Sequence, residues 1–273
     1  MDRRQLAKQL SAIENGDLQA VDSEGLVIAI TGPPGVGKSC LVDGILHRLT
    51  PKLKVAVLAV DPTSPISGGA LLGDRIRLTV LDDKTKAESI YVRSIATRSS
   101  SGSIPSIVRG LASHLLASIF DIVLIETVGA GQSEMRCAAI ANRIIVVEGP
   151  ARGDGIQAEK AGLLELADLI VVNKSDMAGS ERVVNDLTVS LTLTDDAPPI
   201  IRTSAITGEG LDELASALMN LKERITSRRA RARQQLLMAH ENIITQNPAF
   251  ESILDRMSEE GLVLEEALRQ LNE

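Results

Sequence analysis

Aromatic residues, cysteines and long apolar runs are all scarce in this 273-residue chain. With one tyrosine, two phenylalanines and no tryptophan, the core must be built from aliphatic side chains. The two cysteines, Cys40 and Cys137, exclude a disulfide framework and favour a reducing cytoplasm. The longest apolar runs have only the length of a strand, so we predict neither a signal segment nor association with a membrane.

An excess of basic residues is also missing, since the formal net charge is −7. Binding to nucleic acid requires a basic face that matches the phosphate backbone, so we do not expect a nucleic-acid partner. The length allows a sizeable core, and one nucleotide-binding domain with helical additions fits it best.

The most informative stretch is GPPGVGKS at residues 32–39, which lies between an apolar run and a helical pattern. This spacing is typical of a phosphate-binding P-loop, in which glycines let successive N–H groups point at one phosphate. Lys38 is expected to bridge the terminal phosphates, and the Ser39 hydroxyl to ligate Mg²⁺. The predicted phosphate-binding residues are Gly32, Pro33, Pro34, Gly35, Val36, Gly37, Lys38, Ser39 and Cys40.

A second motif, NKSD at residues 173–176, follows a later apolar run and indicates which base is bound. The Asp176 carboxylate can accept two hydrogen bonds from guanine, and the stem of Lys174 can pack along the base. Ser204 and Ala205 match the small motif that contacts the guanine oxygen through the backbone. Because these motifs occur with a P-loop, we predict that the chain binds GTP rather than ATP. The predicted guanine-binding residues are Asn173, Lys174, Asp176, Ser204 and Ala205.

Between these motifs, ETVGAGQ at residues 126–132 occupies the place of a nucleotide-sensing switch. Glu126 would hold Mg²⁺ directly or through water, and the Gly129 N–H would contact the γ-phosphate. Many GTPases have a glutamine directly after this glycine to orient the attacking water, whereas this chain has Ala130. Slow unassisted hydrolysis is therefore predicted. Asp61 and Asp74, on an earlier loop, are further candidates for the Mg²⁺ shell.

Short β-branched runs alternate with helical stretches along the chain, which predicts an α/β fold. Continuous apolar strands favour a P-loop NTPase with a mostly parallel central sheet flanked by helices. We divide the chain into an N-terminal helical extension (1–20), a GTPase domain (21–222) and a C-terminal helical arm (223–273). Exposed apolar residues on the arm would favour a homodimer. An arginine cluster there is interpreted as a solvated helix face or an anion site: Arg228, Arg229, Arg231 and Arg233.

Six motifs in this order resemble the MeaB family, whose members are homodimeric GTPase chaperones of cobalamin-dependent acyl-CoA mutases. They are GPPGVGKS, DPTSPISGGALLGDRIR, YVRSIATR, ETVGAGQSE, GDGIQAEKAGLLELAD and NKSD. The resemblance implies GTP or GDP and Mg²⁺ as ligands, and a mutase such as methylmalonyl-CoA mutase as partner, loaded with cobalamin and protected by this chain. It also implies a partner-coupling switch with Asp154, Gln157 and Lys160. The resulting catalytic set is Lys38, Asp61, Asp74, Glu126 and Gly129, and the metal set is Ser39, Asp61, Asp74 and Glu126.

Two other functions remain open at this point. A nickel-type metallochaperone GTPase would require grouped Cys and His ligands, but His47, His114 and His240 are far apart in the sequence. An ATP-dependent kinase would have no use for a guanine-reading motif. The cation that assists hydrolysis also stays open, and its candidates are Arg75, Arg77, Arg93, Arg98 and Lys160.

Overall fold

The computed structural model describes residues 2–61, 78–96, 107–127, 132–150, 158–192 and 196–272. Their strands are β1 (Leu26–Thr31), β2 (Val55–Asp61), β3 (Ile90–Ala96), β4 (Ile122–Glu126), β5 (Arg143–Glu148), β6 (Leu169–Val172) and β7 (Ile200–Arg202). Their α-helices are α1 (Arg3–Asn15), α2 (Lys38–Leu49), α3 (Lys84–Ala87), α4 (Ile107–Ser118), α5 (Gln132–Ile140), α6 (Ala158–Leu166), α7 (Ser180–Leu191), α8 (Leu211–Asn220), α9 (Ile225–Thr245), α10 (Phe250–Glu259) and α11 (Leu264–Asn272), and a 3₁₀ helix spans Thr79–Asp82.

These strands form one sheet in the order β3-β2-β4-β1-β5-β6-β7, and every pair is parallel. The predicted parallel sheet is therefore confirmed. Alternate strand residues face two separate cores: Ala29 packs on the side of α4, α5 and α6, whereas Ile28 packs on the side of α2 and α8. Burial on both faces explains why the strands read as continuous apolar runs.

Helix α1 is capped at both ends. The Asp2 side chain accepts a hydrogen bond from the Arg4 N–H, and Gly16 terminates the helix at a φ of 81°. Its apolar face, formed by Leu6, Leu10 and Ile13 at helical spacing, is buried in the core.

Arg93 was a candidate for the cation that assists hydrolysis, and the structure contradicts its expected place on a switch loop. The residue lies inside β3, and its guanidinium bonds both carboxylate oxygens of Glu14, at 2.9 and 2.8 Å. The side chain is 16% exposed, so this pair fastens α1 to the sheet. Arg75, Arg77 and Arg98 lie outside the described residues.

His114 on α4 fastens the segment after α1. Its Nδ1 accepts from the Val21 N–H at 3.5 Å, and Nε2 lies 3.4 Å from Gln9 Oε1, so the neutral ring with hydrogen on Nε2 satisfies both contacts. Burial lowers the pKa of His114 below its ordinary value of 6.5.

We expect the free energy of unfolding to depend on this ring. Because the folded pKa is lowered, the unfolded chain binds more protons at mildly acidic pH. The stability is fully present above about pH 6.5 and is lost as the pH falls towards the folded pKa. Urea unfolding between pH 5 and 8 should show this loss, and His114→Gln should reduce it. The exposed His240 gives the control His240→Gln; equal pH dependence in both variants would contradict the assignment.

Helix α9 is held to the sheet through Arg231, which contradicts both interpretations of the arginine cluster for that residue. Its side chain is 4% exposed and bonds the fully buried Asp168 carboxylate at 2.7 Å. Asp168 also accepts from the Ile144 N–H, the Arg224 N–H and the Ser227 hydroxyl. The other members of the cluster, Arg228, Arg229 and Arg233, are exposed as a solvated face requires.

The three C-terminal helices leave apolar side chains exposed, among them Leu236, Ile243, Leu264 and Leu268. Among the described helices, none combines the length and the apolar character needed to cross a membrane.

Candidate functional site

The phosphate-loop motif joins the carboxyl end of β1 to the start of α2. Gly32 and Gly37 have φ values of 144° and 95°, which favour glycine. A Cβ at Gly32 would lie 2.1 Å from the Val147 carbonyl oxygen, and one at Gly37 would lie 2.6 Å from Asn173 Nδ2. The loop therefore depends on glycine for its close contacts with β5 and with the residue that follows β6. Pro34, Gly35 and Cys40 are exposed, whereas Pro33 and Val36 are buried.

Lys38 lies against this loop. Its ammonium donates to the carbonyl oxygens of Gly32 at 2.6 Å and Pro33 at 3.0 Å, and the residue is 8% exposed. The charge is thus held at the loop, next to the amino end of α2, where backbone N–H groups and the helix dipole favour an anion.

Two oxygen groups meet beside the loop, and both belong to residues that the sequence names as Mg²⁺ candidates. The Ser39 hydroxyl donates to Glu126 Oε1 at 2.6 Å, and Glu126 is 7% exposed. Hydroxyl and carboxylate oxygens are the hard donors that Mg²⁺ prefers, so this pair fits the ion.

The other predicted metal residues are less fully described. Asp61 ends β2, two positions beyond the residue that pairs with Glu126, and its side chain is outside the described part. Asp74 and Gly129 lie outside the described residues altogether.

Asn173 joins three loops through its buried side-chain amide. Its Nδ2 donates to the Val36 carbonyl at 2.9 Å, while Oδ1 accepts from the Ala205 N–H and the Thr203 hydroxyl, both at 3.2 Å. The side chain thus ties the phosphate loop to the two predicted guanine motifs. Such a residue fixes the spacing between a base site and a phosphate site.

Lys174 and Asp176 differ in their surroundings. Lys174 has a φ of 62°, and its ammonium donates to the Gly35 carbonyl at 2.8 Å. Asp176 is exposed. Ser204 is buried, and its hydroxyl accepts from the Thr207 N–H at 3.2 Å, which shapes the turn that carries Ala205.

Sequence reasoning assigned no role to two residues that support this site. The buried hydroxyl of Thr127 donates to Thr31 at 2.9 Å, linking the ends of β4 and β1. The Glu209 carboxylate accepts from the Ser175 hydroxyl at 3.0 Å, linking the guanine motifs. The available signal was position, since Thr127 directly follows Glu126 and Glu209 comes four residues after Ala205.

The predicted partner-coupling switch lies mostly outside the described residues. Asp154 and Gln157 belong to residues 151–157, which are not described. Lys160 lies on α6, and its side chain is not described. Within the described residues, no three His, Cys, Asp or Glu side chains are grouped to hold a metal ion; Cys40 is exposed and Cys137 is buried.

Comparison with known proteins identifies the family. The profile described as "Methylmalonyl Co-A mutase-associated GTPase MeaB" matches residues 5–260. The chain belongs to the MeaB family. This family membership and the P-loop fold make the protein a GTPase, as the sequence predicted.

Three similar proteins agree with membership of the MeaB family. A Pyrococcus horikoshii protein that bears a GTPase name is 39% identical over 230 residues, which are 78% of this chain and 72% of that protein. The crystal structure of a LAO/AO transport system kinase is 26% identical with a TM-score of 0.60, covering 97% of this chain and 85% of that one. A fused isobutyryl-CoA mutase of Geobacillus kaustophilus is 38% identical over 174 residues, which are 63% of this chain and 16% of that protein.

Proposed function

We propose that this GTPase is the chaperone of a cobalamin-dependent acyl-CoA mutase, acting in the cytoplasm to gate cofactor loading and to protect or reactivate the enzyme. The observation that carries the proposal is the fused isobutyryl-CoA mutase, in which a segment 38% identical to this chain shares one polypeptide with a mutase. Two activities joined in one chain in one organism are reasonable partners as separate chains in another.

Mg²⁺ is proposed at Ser39 and Glu126, whose oxygens are 2.6 Å apart. When bound there, it would neutralise charge that develops on the phosphate oxygens during hydrolysis. Lys38 would exchange its carbonyl contacts for phosphate oxygens, and the N–H groups at the start of α2 would bind the same phosphates. The chain's own role is thus to orient the triphosphate and to stabilise its charge.

Guanine is proposed to bind beside Lys174, with Asp176 as its reader. The exposed carboxylate is available to a base, and Asn173 and Lys174 fasten its loop to the phosphate loop. Ala205 would add its backbone contact from the neighbouring turn.

We expect Asp176→Asn to weaken GTP binding and to strengthen binding of xanthosine triphosphate. The amide replaces one acceptor by a donor, while xanthine has a carbonyl where guanine has an amine. An unpaired polar group costs about 1–3 kcal/mol, or roughly 5- to 150-fold in affinity. Isothermal titration with both nucleotides measures the exchange. Asp186→Asn, at an exposed position on α7, is the control, and unchanged GTP affinity in Asp176→Asn would rule out the reading of guanine by this carboxylate.

Nucleotide state is proposed to reach the mutase through residues 153–160, which follow the carboxyl end of β5. There the Glu148 carbonyl accepts from the Asn173 N–H at 2.8 Å. A Cβ at Gly149 would lie 3.1 Å from the Val36 side chain and 3.2 Å from the Asn173 carbonyl oxygen. The residues at the end of β5, before this segment, are therefore packed against both nucleotide motifs.

Binding between the protein and the mutase is the test of the proposed partner. The tagged protein, loaded with a non-hydrolysable GTP analogue or with GDP, is titrated with each purified acyl-CoA mutase of its host. Reciprocal coupling of 1–3 kcal/mol predicts mutase affinities that differ by about 5- to 150-fold between the two states. No complex with any of these mutases in either state would refute the proposed function.

A homodimer is proposed from the apolar side chains that α9, α10 and α11 leave exposed, such as Leu236, Leu237 and Leu268. Burial of these side chains by a second copy would remove a large apolar surface from water.

A further inference from the structure

The turn that follows β7, residues 203–210, carries a glutamate between two glycines. Gly208 and Gly210 have φ values of 83° and 69°, a conformation that favours glycine. A Cβ at Gly210 would lie 2.0 Å from the Arg202 carbonyl oxygen, so the turn folds closely onto the end of β7. The backbone of Glu209 is therefore fixed by the conformation and packing of its two neighbours.

Glu209 makes two hydrogen bonds that lead to the predicted guanine motifs. Its backbone carbonyl accepts from the Ser204 N–H at 3.0 Å, which closes the turn. Its carboxylate accepts from the Ser175 hydroxyl at 3.0 Å. Ser204 directly precedes Ala205, and Ser175 directly precedes Asp176. Each residue that Glu209 bonds is thus the immediate neighbour of a predicted contact with the base.

The same two loops are also joined on their buried side. Asn173 Oδ1 accepts from the Ala205 N–H at 3.2 Å, and the Ser175 N–H donates to the Thr203 carbonyl at 2.9 Å. Asn173 is 1% exposed, whereas Glu209 is at the surface. Because contacts at one depth leave two loops free to hinge about them, the bond from Glu209 at the surface restricts their relative orientation.

We propose that Glu209 is a positioning residue for guanine recognition, which holds Asp176 and Ala205 at the spacing that the base requires. The amine and the ring oxygen that these two residues would contact belong to the same base, so a change in spacing weakens binding at both. This role rests on the guanine site proposed above. Glu209 needs no contact with the base, because it acts through Ser175 and Ser204.

The sign of the expected effect separates this role from an effect of charge. Glu209 is negative and the triphosphate is an anion, so loss of the charge by itself would favour binding of the nucleotide. Loss of the bond to Ser175 acts in the opposite direction. Glu209→Gln removes the charge but keeps a carbonyl oxygen that can accept from the Ser175 hydroxyl. We therefore expect Glu209→Gln to bind GTP at least as tightly as the wild type.

Glu209→Ala tests the role at an exposed residue, where the fold should tolerate the change. We expect the affinity for GTP, measured by isothermal titration, to fall about two- to tenfold, the effect of one lost hydrogen bond. Inosine triphosphate lacks the exocyclic amine that Asp176 would read, so its affinity should fall less and the preference for GTP should decrease. Glu213→Ala removes another exposed carboxylate, in the first turn of α8, and should bind both nucleotides as the wild type does.

A double-mutant cycle shows whether the bond between Glu209 and Ser175 carries the effect. Ser175→Ala removes the donor, so it should weaken GTP binding as Glu209→Ala does, and the double variant should bind no more weakly than either one. Additive losses would contradict the role. If Glu209→Ala lowers only the thermal midpoint and keeps the wild-type preference for GTP, while Asp176→Asn changes that preference, the positioning role is wrong. If Asp176→Asn also leaves the preference unchanged, the proposed reading of guanine is wrong as well.

Discussion

Replacing Lys38 with alanine is expected to slow GTP hydrolysis by about 10²–10³-fold, the usual cost of losing one pre-positioned group that stabilises developing charge. The ammonium is held at the loop before nucleotide binds, 2.6 Å from the Gly32 carbonyl oxygen. Little reorganisation is therefore needed when phosphate oxygens replace the carbonyls. Single-turnover hydrolysis under saturating GTP and Mg²⁺ measures the loss.

Two further variants make this result specific. Lys38→Met keeps the apolar stem of a side chain that is 8% exposed and should lose the same activity. Lys52→Ala removes an exposed lysine beyond the far end of α2 and should behave as the wild type. Circular dichroism checks that each variant is folded. Near-normal hydrolysis by folded Lys38→Met would remove Lys38 from the phosphate site.

The sheet could be predicted from the sequence because its signal is local. Runs such as Val55–Val60 and Leu169–Val172 are apolar at every position. This pattern is typical of a strand that is covered on both faces. The role of the glycines in the phosphate loop was predictable for the same reason, since each of them adopts a positive φ or lies in close contact with a neighbour.

Arg231 shows what the sequence could not supply. Its spacing from Arg228 and Arg229 fits a solvated helix, and its burial depends on Asp168, which is 63 residues away in the chain. Arg93 was misplaced for the same reason, because its partner Glu14 is 79 residues away. Long-range pairing of charges has no periodic signature, so a solvated side chain and a buried one look alike in the sequence.

Asn173 is an intermediate case in the candidate site. The motif predicts that the residue serves the nucleotide, but the contacts with Val36, Thr203 and Ala205 follow only from the strand order that brings three loops together.

Hydrolysis by the free protein is expected to be slow and to rise strongly when a cobalamin-dependent acyl-CoA mutase binds. Ala130 has no group to orient water, and Arg93, which bonds Glu14, is held away from such a role. Under the proposed function, contact with the mutase brings a further residue to the γ-phosphate. An arginine brought to the γ-phosphate accelerates other GTPases by about 10³–10⁵-fold, which sets the scale of the expected increase.

Variants in the proposed coupling switch locate the source of this increase. Gln157→Ala and Lys160→Ala should reduce stimulation by the mutase and leave the slow basal rate of the free protein little changed. Glu165→Ala changes an exposed residue nearer the other end of α6 and should be stimulated normally. Equal stimulation of all three variants would place the coupling elsewhere in the chain.

We propose that a mutase controls GTP hydrolysis by this MeaB-family protein. Single-turnover GTP hydrolysis, measured with and without purified acyl-CoA mutases of its host, tests this control most directly. We predict that the free protein hydrolyses GTP slowly and that one of these mutases raises the rate by orders of magnitude. Rapid turnover by the free protein, or a rate that no mutase changes, would contradict it.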